Sequence, residues 1–176
     1  SKEEKEAFKD LFLLSDKQVL YACNVGEGDL EDGNAYVEKV KEIASEHEDE
    51  TVMFCAKIEA GIAELDEDEK EMLLEELGVP SAGLDRLIKA AFKELGLITY
   101  FTAGPKEARA WTIKNGTKAP QAAGVIHTDF EKGFIRAETI AFKDYEELGT
   151  EKAAREAGKM RQEGKEYVVN DGDVLL

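Results

Sequence analysis

The chain has 176 residues, 43% of them hydrophobic and 35% charged, with a formal net charge of −16. That length and apolar content suit one ordinary core or two small ones and exclude fibres and extended disorder. No apolar run approaches the roughly 20 residues of a membrane span, and the charged start is neither a signal nor a transit sequence, so a cytoplasmic protein is expected.

The charge is unevenly spread. Residues 1–97 hold 11 Lys/Arg against 26 Asp/Glu, a balance of −15, while residues 98–176 hold 12 against 13, a balance of −1. The second half is therefore expected to be able to present a basic face. The only cysteines, Cys23 and Cys55, each lie in an apolar run and read as small hydrophobes rather than as a disulfide or metal pair.

In chain order, residues 1–14 read as the tail of a helix, with Ala7, Phe8, Leu11 and Phe12 at helical spacing and no N-cap before them. Residues 19–23 form a continuous apolar run, as a buried parallel strand does, and lead into the polar turn Asn24-Val25-Gly26-Glu27. A helix over 34–46 carries Tyr36, Val37, Val40, Ile43 and Ala44 on one stripe, and a second apolar strand covers 51–56. Strand, helix, strand implies a parallel pair, and such sheets bind ligands at the carboxyl ends of their strands. Residues 24–27 and 55–59 sit at those ends.

Asp66 with Glu69 spells a capping box for an acidic helix that ends at Gly78. The next helix has Leu84, Leu87, Ile88, Ala91, Phe92 and Leu95 as its stripe and Gly96 as its left-handed stop, where a domain boundary is placed. Residues 97–103 and 108–113 then read as a hairpin around Gly104-Pro105. Asn115-Gly116 marks a turn, Thr117 a cap, and Pro120 the first turn of a short helix that ends near His127. Residues 129–133 read as a loop, 134–140 as a strand, 143–148 as a helical turn, 151–162 as a helix, and 167–170 and 174–176 as strands.

Three stretches are specific enough to place the chain: residues 100–105, Tyr-Phe-Thr-Ala-Gly-Pro; residues 109–113, Arg-Ala-Trp-Thr-Ile; and residues 119–135, with Ala-Pro-Gln-Ala-Ala-Gly followed by His-Thr-Asp-Phe-Glu-Lys-Gly-Phe-Ile. They closely resemble the YchF, or Obg-like, ATPase family. The resemblance implies a fold of α/β plus α+β class: residues 1–96 as the end of a helical insertion and the last part of a P-loop GTPase-like parallel sheet with helices, and residues 97–176 as a TGS domain of β-grasp, ubiquitin-like shape. It also implies a segment of a longer protein. No Gly-x-x-x-x-Gly-Lys-Ser/Thr occurs; Gly158-Lys159 and Gly164-Lys165 lack the earlier glycine and the following hydroxyl residue, so nothing here cradles phosphates.

For the full-length parent the resemblance implies ATP with magnesium, slow hydrolysis, and docking on the large ribosomal subunit through RNA, with neither membrane nor DNA as a partner. No cofactor is expected on the isolated segment. In ordinary GTPases Asn-Lys-x-Asp at the matching strand end selects guanine, because the aspartate accepts from the ring N–H and the exocyclic amine. Here Glu27 stands for that aspartate and Val25 for the lysine, which implies ATP preferred over GTP, with Asn24 at the base edge and Val25 packed on the ring. Cys55-Ala56-Lys57 resembles the second base-contacting loop, with cysteine in place of the usual serine.

Lys152, Arg155 and Lys159 fall at i, i+3 and i+7, and with Arg161 and Lys165 they form a candidate RNA-binding or ribosome-binding patch. The other reading of the same residues is a solvated face balanced by Glu151, Glu156 and Glu163. His127 with Asp129, and His47 among acids, read as surface groups without a nucleophile or metal set. The rival function is a β-grasp protein-interaction module with no nucleotide role.

Overall fold

The computed structural model describes residues 11–14, 17–104 and 107–176. The helix expected over 1–14 therefore lies outside the described residues except for Leu11 to Leu14, where Leu11 and Leu14 fall in 3-10 turns and none is α-helical, and the hairpin turn at Pro105 lies outside them as well. The chain divides into two compact units, residues 1–95 and 96–176. Among the described residues no helix is long and apolar enough to cross a membrane.

The first unit is built on two parallel strands, β1 (Leu20–Asn24) and β2 (Glu50–Phe54), paired from Leu20 opposite Glu50 to Asn24 opposite Phe54. Helix α1 (Ala35–Glu46) makes the crossover between them. Its start is fixed locally: the Asn34 Oδ1 accepts from the amides of Tyr36 at 3.0 Å and Val37 at 3.2 Å, which satisfies two of the donors a helix start leaves open. Only Val37 and Ala44 of its apolar stripe are buried; Tyr36 and Ile43 stand in solvent.

Three more helices follow: α2 (Ala56–Ile62), α3 (Glu67–Glu76) and α4 (Gly83–Glu94). The capping box opens α3 as its sequence requires, with Asp66 Oδ1 accepting from Glu69 N at 2.9 Å and the Glu69 carboxylate accepting from Asp66 N.

The second unit is a mixed five-stranded sheet in the order β4-β3-β7-β5-β6, where β3 is Leu97–Ala103, β4 Ala108–Lys114, β5 Ala137–Ala141, β6 Arg161–Glu163 and β7 Asp173–Leu175. Strands β3 and β4 form the hairpin, and β7 lies parallel to β3 and antiparallel to β5. Its helices are α5 (Ala119–Ile126), α6 (Thr128–Gly133), α7 (Phe142–Leu148) and α8 (Glu151–Glu156).

Four sequence expectations change here. Residues 129–133 belong to helix α6, because the His127 Nδ1 accepts from Asp129 N at 3.2 Å and supplies a cap. Thr117 caps nothing; its hydroxyl donates to the Lys114 carbonyl, and Lys118 opens α5. The helix expected over 151–162 stops at Glu156, since Gly158 takes a left-handed φ of 70° and the chain leaves as β6. Residues 167–170 join no strand of the sheet, although Val168 bridges Lys118 and Ala119 N donates to the Tyr167 carbonyl.

The core of this unit gathers Tyr100, Ile113, Ala119, Ala122, Ala137, Val169 and Leu175. Tyr100 is fully buried, and its hydroxyl donates to the Ala122 carbonyl at 2.8 Å, tying β3 to α5. Burial pushes its phenol from 10.0 up to about 12. The folded state thus holds this proton more tightly than the unfolded chain, so the contribution is complete below pH 10 and is lost as the pH rises through about 12. Tyr100→Phe is expected to cost about 1 kcal/mol near neutrality and to shrink the alkaline loss of stability. Urea unfolding at neutral and at high pH measures both; an unchanged alkaline decline would assign it to other groups.

Candidate functional site

Parallel pairing places the carboxyl ends of β1 and β2 side by side, and the six residues singled out by the resemblance sit there: Asn24 as the last residue of β1 with Val25 and Glu27 after it, and Cys55, Ala56 and Lys57 after β2. The ladder continues one step past β1, with Val25 N donating to the Phe54 carbonyl at 2.9 Å. The next rung comes from a side chain, because Asn24 Oδ1 accepts from Ala56 N at 3.0 Å. Asparagine suits this place: its amide oxygen accepts from the second loop, and its side chain carries a donor as well.

Val25 is half-buried, while Asn24, Glu27, Ala56 and Lys57 are exposed and so reachable. Glu27 opens a single 3-10 turn (Glu27–Asp29), and its carboxylate stands 4.0 Å from the Lys57 Nζ. Both side chains are more than half exposed, so this pair adds little stability and is easily parted. Cys55 is buried and precedes α2 without a side-chain cap, which makes it a packing residue; Cys23 and Cys55 are both free thiols.

Glu59 and Gly83 are the residues the sequence did not reveal. The Glu59 carboxylate accepts from Gly83 N at 2.7 Å and from Leu84 N at 3.0 Å, closing the start of α4 with a charged acceptor. A Cβ on Gly83 would lie 2.5 Å from the Cβ of Phe54, the residue just before Cys55. The second loop is thereby gripped from both sides, by Asn24 and by the head of α4. No local signal marks Glu59, since its partners lie 24 and 25 residues away.

The basic residues of the second unit are not one stripe. Lys152 and Arg155 lie on α8, Lys159 follows its end, Arg161 is on β6, and Lys165 is in the loop beyond. Most are already paired: Lys152 with Glu156 at 3.9 Å, Arg155 with Glu138 at 2.8 Å, and Lys159 with Asp144 at 3.0 Å. Arg161 donates to the buried carboxylate of Asp173 at 3.2 Å. Asp173 also accepts from Tyr167 Oη at 2.6 Å and Asn170 N at 2.9 Å. Burial, and then the hydrogen bond to Asp173, hold the Tyr167 phenol above its ordinary value. Lys165 alone of the five has no ion pair among the described residues.

Trp111 is half-buried, donates from Nε1 to Thr102 Oγ1 at 2.9 Å, and carries the Arg109 guanidinium 4.2 Å above its ring. Phe101 packs against Phe142 at 5.2 Å between ring centres. Among the described residues no group of three or more His, Cys, Asp or Glu is gathered as a metal site would need.

Fold and loops together define a mixed α/β chain in which a parallel strand pair delivers two linked loops to one edge, followed by a separate mixed-sheet unit. The family model YchF-GTPase_C, described as a protein of unknown function (DUF933), matches residues 97–176. The ribosome-binding ATPase YchF of Bacillus subtilis (strain 168) is 54% identical over 177 residues, covering 99% of this chain and 48% of that protein. The Obg-like ATPase 1 of Pongo abelii is 45% identical over 178 residues, covering 99% of this chain and 44% of that protein. A solved structure of the Schizosaccharomyces pombe YchF GTPase superposes with a TM-score of 0.85 at 40% identity, covering all of this chain and 47% of that one. The chain belongs to the YchF and Obg-like ATPase family. It spans about half the length of the curated relatives it matches.

The grip on the second loop has a measurable cost. Gly83→Ala is expected to destabilise the first unit by about 1–3 kcal/mol through overpacking against Phe54, despite alanine's better helix propensity. Glu59→Ala is expected to cost about as much by leaving two amides without their acceptor, and Glu59→Gln less. Chemical denaturation of the chain measures each; a neutral Gly83→Ala would show that Phe54 gives way freely.

Proposed function

We propose that this chain is the C-terminal part of a ribosome-associated nucleotide-binding protein whose parent binds ATP with magnesium and hydrolyses it slowly, with GTP a weaker ligand. The observation that carries the reading is the pair of hydrogen bonds joining the two strand-end loops, Val25 N to the Phe54 carbonyl and Ala56 N to Asn24 Oδ1. In this reading Asn24 meets the base edge, Val25 packs on the ring, and Cys55, Ala56 and Lys57 close the other side. Magnesium and the phosphates would be held by residues outside this segment, and no step of hydrolysis is assigned to side chains present here.

Adenine offers neither the ring N–H nor the amine that an aspartate at position 27 would accept from. A clamp aspartate would then be left unpaired at a cost of about 1–3 kcal/mol, which is roughly 5- to 150-fold in affinity. Glu27 is longer and stands beside Lys57 in this structure, which supports its release from that clamp. The relatives' names use both ATPase and GTPase, so the names alone do not choose the base.

For the 97–176 unit we infer a TGS domain of β-grasp form, supported by a hairpin, a parallel β3–β7 pair at the centre of the sheet, and α5 tied to β3 through Tyr100. Ribosome association comes from the names of the bacterial relatives. Lys152, Arg155, Lys159, Arg161 and Lys165 are its proposed RNA contacts, with incoming phosphates displacing Glu156, Glu138 and Asp144 from their cations.

Equilibrium binding of labelled ATP and GTP to the full-length protein tests the base site, wild type beside Val25→Lys combined with Glu27→Asp. Wild type should prefer ATP, and the double variant should move the ATP/GTP ratio toward GTP by about tenfold or more. If wild type binds neither nucleotide, the protein-interaction reading replaces this one.

A further inference from the structure

The free edge of β2 borders a cleft of about 410 Å³, lined by consecutive residues from Glu50 to Met53 and by Arg86, Lys89 and Lys93 of α4. Successive strand side chains point to opposite faces, so a cleft touching four in a row runs along an edge. The other edge is taken by β1 through its five-residue register, and nothing else among the described residues pairs with β2.

Three polar atoms at this cleft are buried without a hydrogen-bond partner: Glu50 Oε2, Thr51 Oγ1 and Arg86 Nε. Leaving such atoms unpaired costs about 1–3 kcal/mol each, so their grouping is informative. The cations are equally out of keeping with their surroundings. Arg86, Lys89 and Lys93 occupy i, i+3 and i+7 of one helix, in a half of the chain whose charge balance is strongly negative. Glu50 holds Lys93 at 3.2 Å, while Lys89 has no ion pair among the described residues.

We infer that this cleft takes an extended acidic peptide, added to β2 as a third strand. A strand edge offers N–H and C=O groups in alternation, which another strand satisfies in both senses. In an added strand every second side chain faces the same way, about 6.6 Å apart, so carboxylates at two or three alternate positions reach cations spread over about 10 Å of α4. A phosphodiester chain would also meet the cations. It would, however, bring more negative charge against the β2 carbonyls and Glu50, inside the field of a strongly acidic unit. The site is separate from the strand-end loops and needs no nucleotide.

The test uses this chain and a fluorescein-labelled eight-residue peptide alternating glutamate and valine. Saturable anisotropy change is expected, with protection of the amides of residues 50–54 from hydrogen exchange. Binding should weaken about tenfold or more in Lys89→Glu and in Arg86→Gln, and vanish for a peptide with N-methylated backbone positions. Lys89 is exposed and unpaired, so Lys89→Glu keeps the test valid if Arg86→Gln unfolds. The inference is overturned by absence of saturable binding, by equal binding to Lys89→Glu, or by a single-stranded RNA 12-mer that binds at this edge in preference to the peptide.

Discussion

The first unit depends on how two parallel strands end. Backbone pairing stops where β1 and β2 stop, and without a further device each loop would leave in its own direction. Here the ladder is prolonged twice, first by Val25 N on the Phe54 carbonyl and then by the Asn24 side chain on Ala56 N. A side-chain amide can act as a rung because it carries an acceptor like that of the backbone, set one residue further along. Two loops that are 30 residues apart in sequence thus become one surface.

That surface is held from beneath by the head of α4. Glu59 supplies the acceptors that the first turn of α4 lacks, and Gly83 lets that turn approach Phe54 more closely than any side chain would allow. The second unit uses the same logic with different atoms. Asp171 Oδ1 accepts from Thr99 N at 2.8 Å, and Asp173 gathers Tyr167, Asn170 and Arg161 around one buried carboxylate. In both units an acidic side chain organises irregular backbone, which a fixed negative charge does well when several donors converge on it.

Features written within four residues were legible in the sequence. The Asp66 capping box and the apolar runs of β1 and β2 stand where local chemistry puts them. The failures share a cause, which is a distant partner or a backbone reversal overriding a local pattern. Residues 151–162 have helical charge spacing, yet Gly158 ends the run and Arg161 is drawn to Asp173 in a strand. Residues 167–170 look like a strand, but Asp173 takes the Asn170 amide and the ladder goes no further. That the two loops lie at adjacent strand ends was legible from the apolar runs, while the choice of six residues in them came from the family resemblance; the contacts of Glu59 were not legible, because they exist only once α4 has folded back.

Charge shows the same gap between counting and placement. By composition the second half should offer the basic face, since its cations and anions nearly balance. In the fold those cations are spent internally: Arg155 on Glu138, Lys159 on Asp144, Arg161 on Asp173. The strongly acidic first half does the reverse. Three of its eleven cations, Arg86, Lys89 and Lys93, line one helix beside a strand edge and two unpaired polar atoms of β2, and of these only Lys93 is held by a carboxylate among the described residues, that of Glu50. Net charge governs the field a partner meets at a distance, but only unpaired groups with a free approach decide where it settles. On that criterion the edge of β2, in the half of the chain that looks least hospitable to an anion, is the more receptive surface.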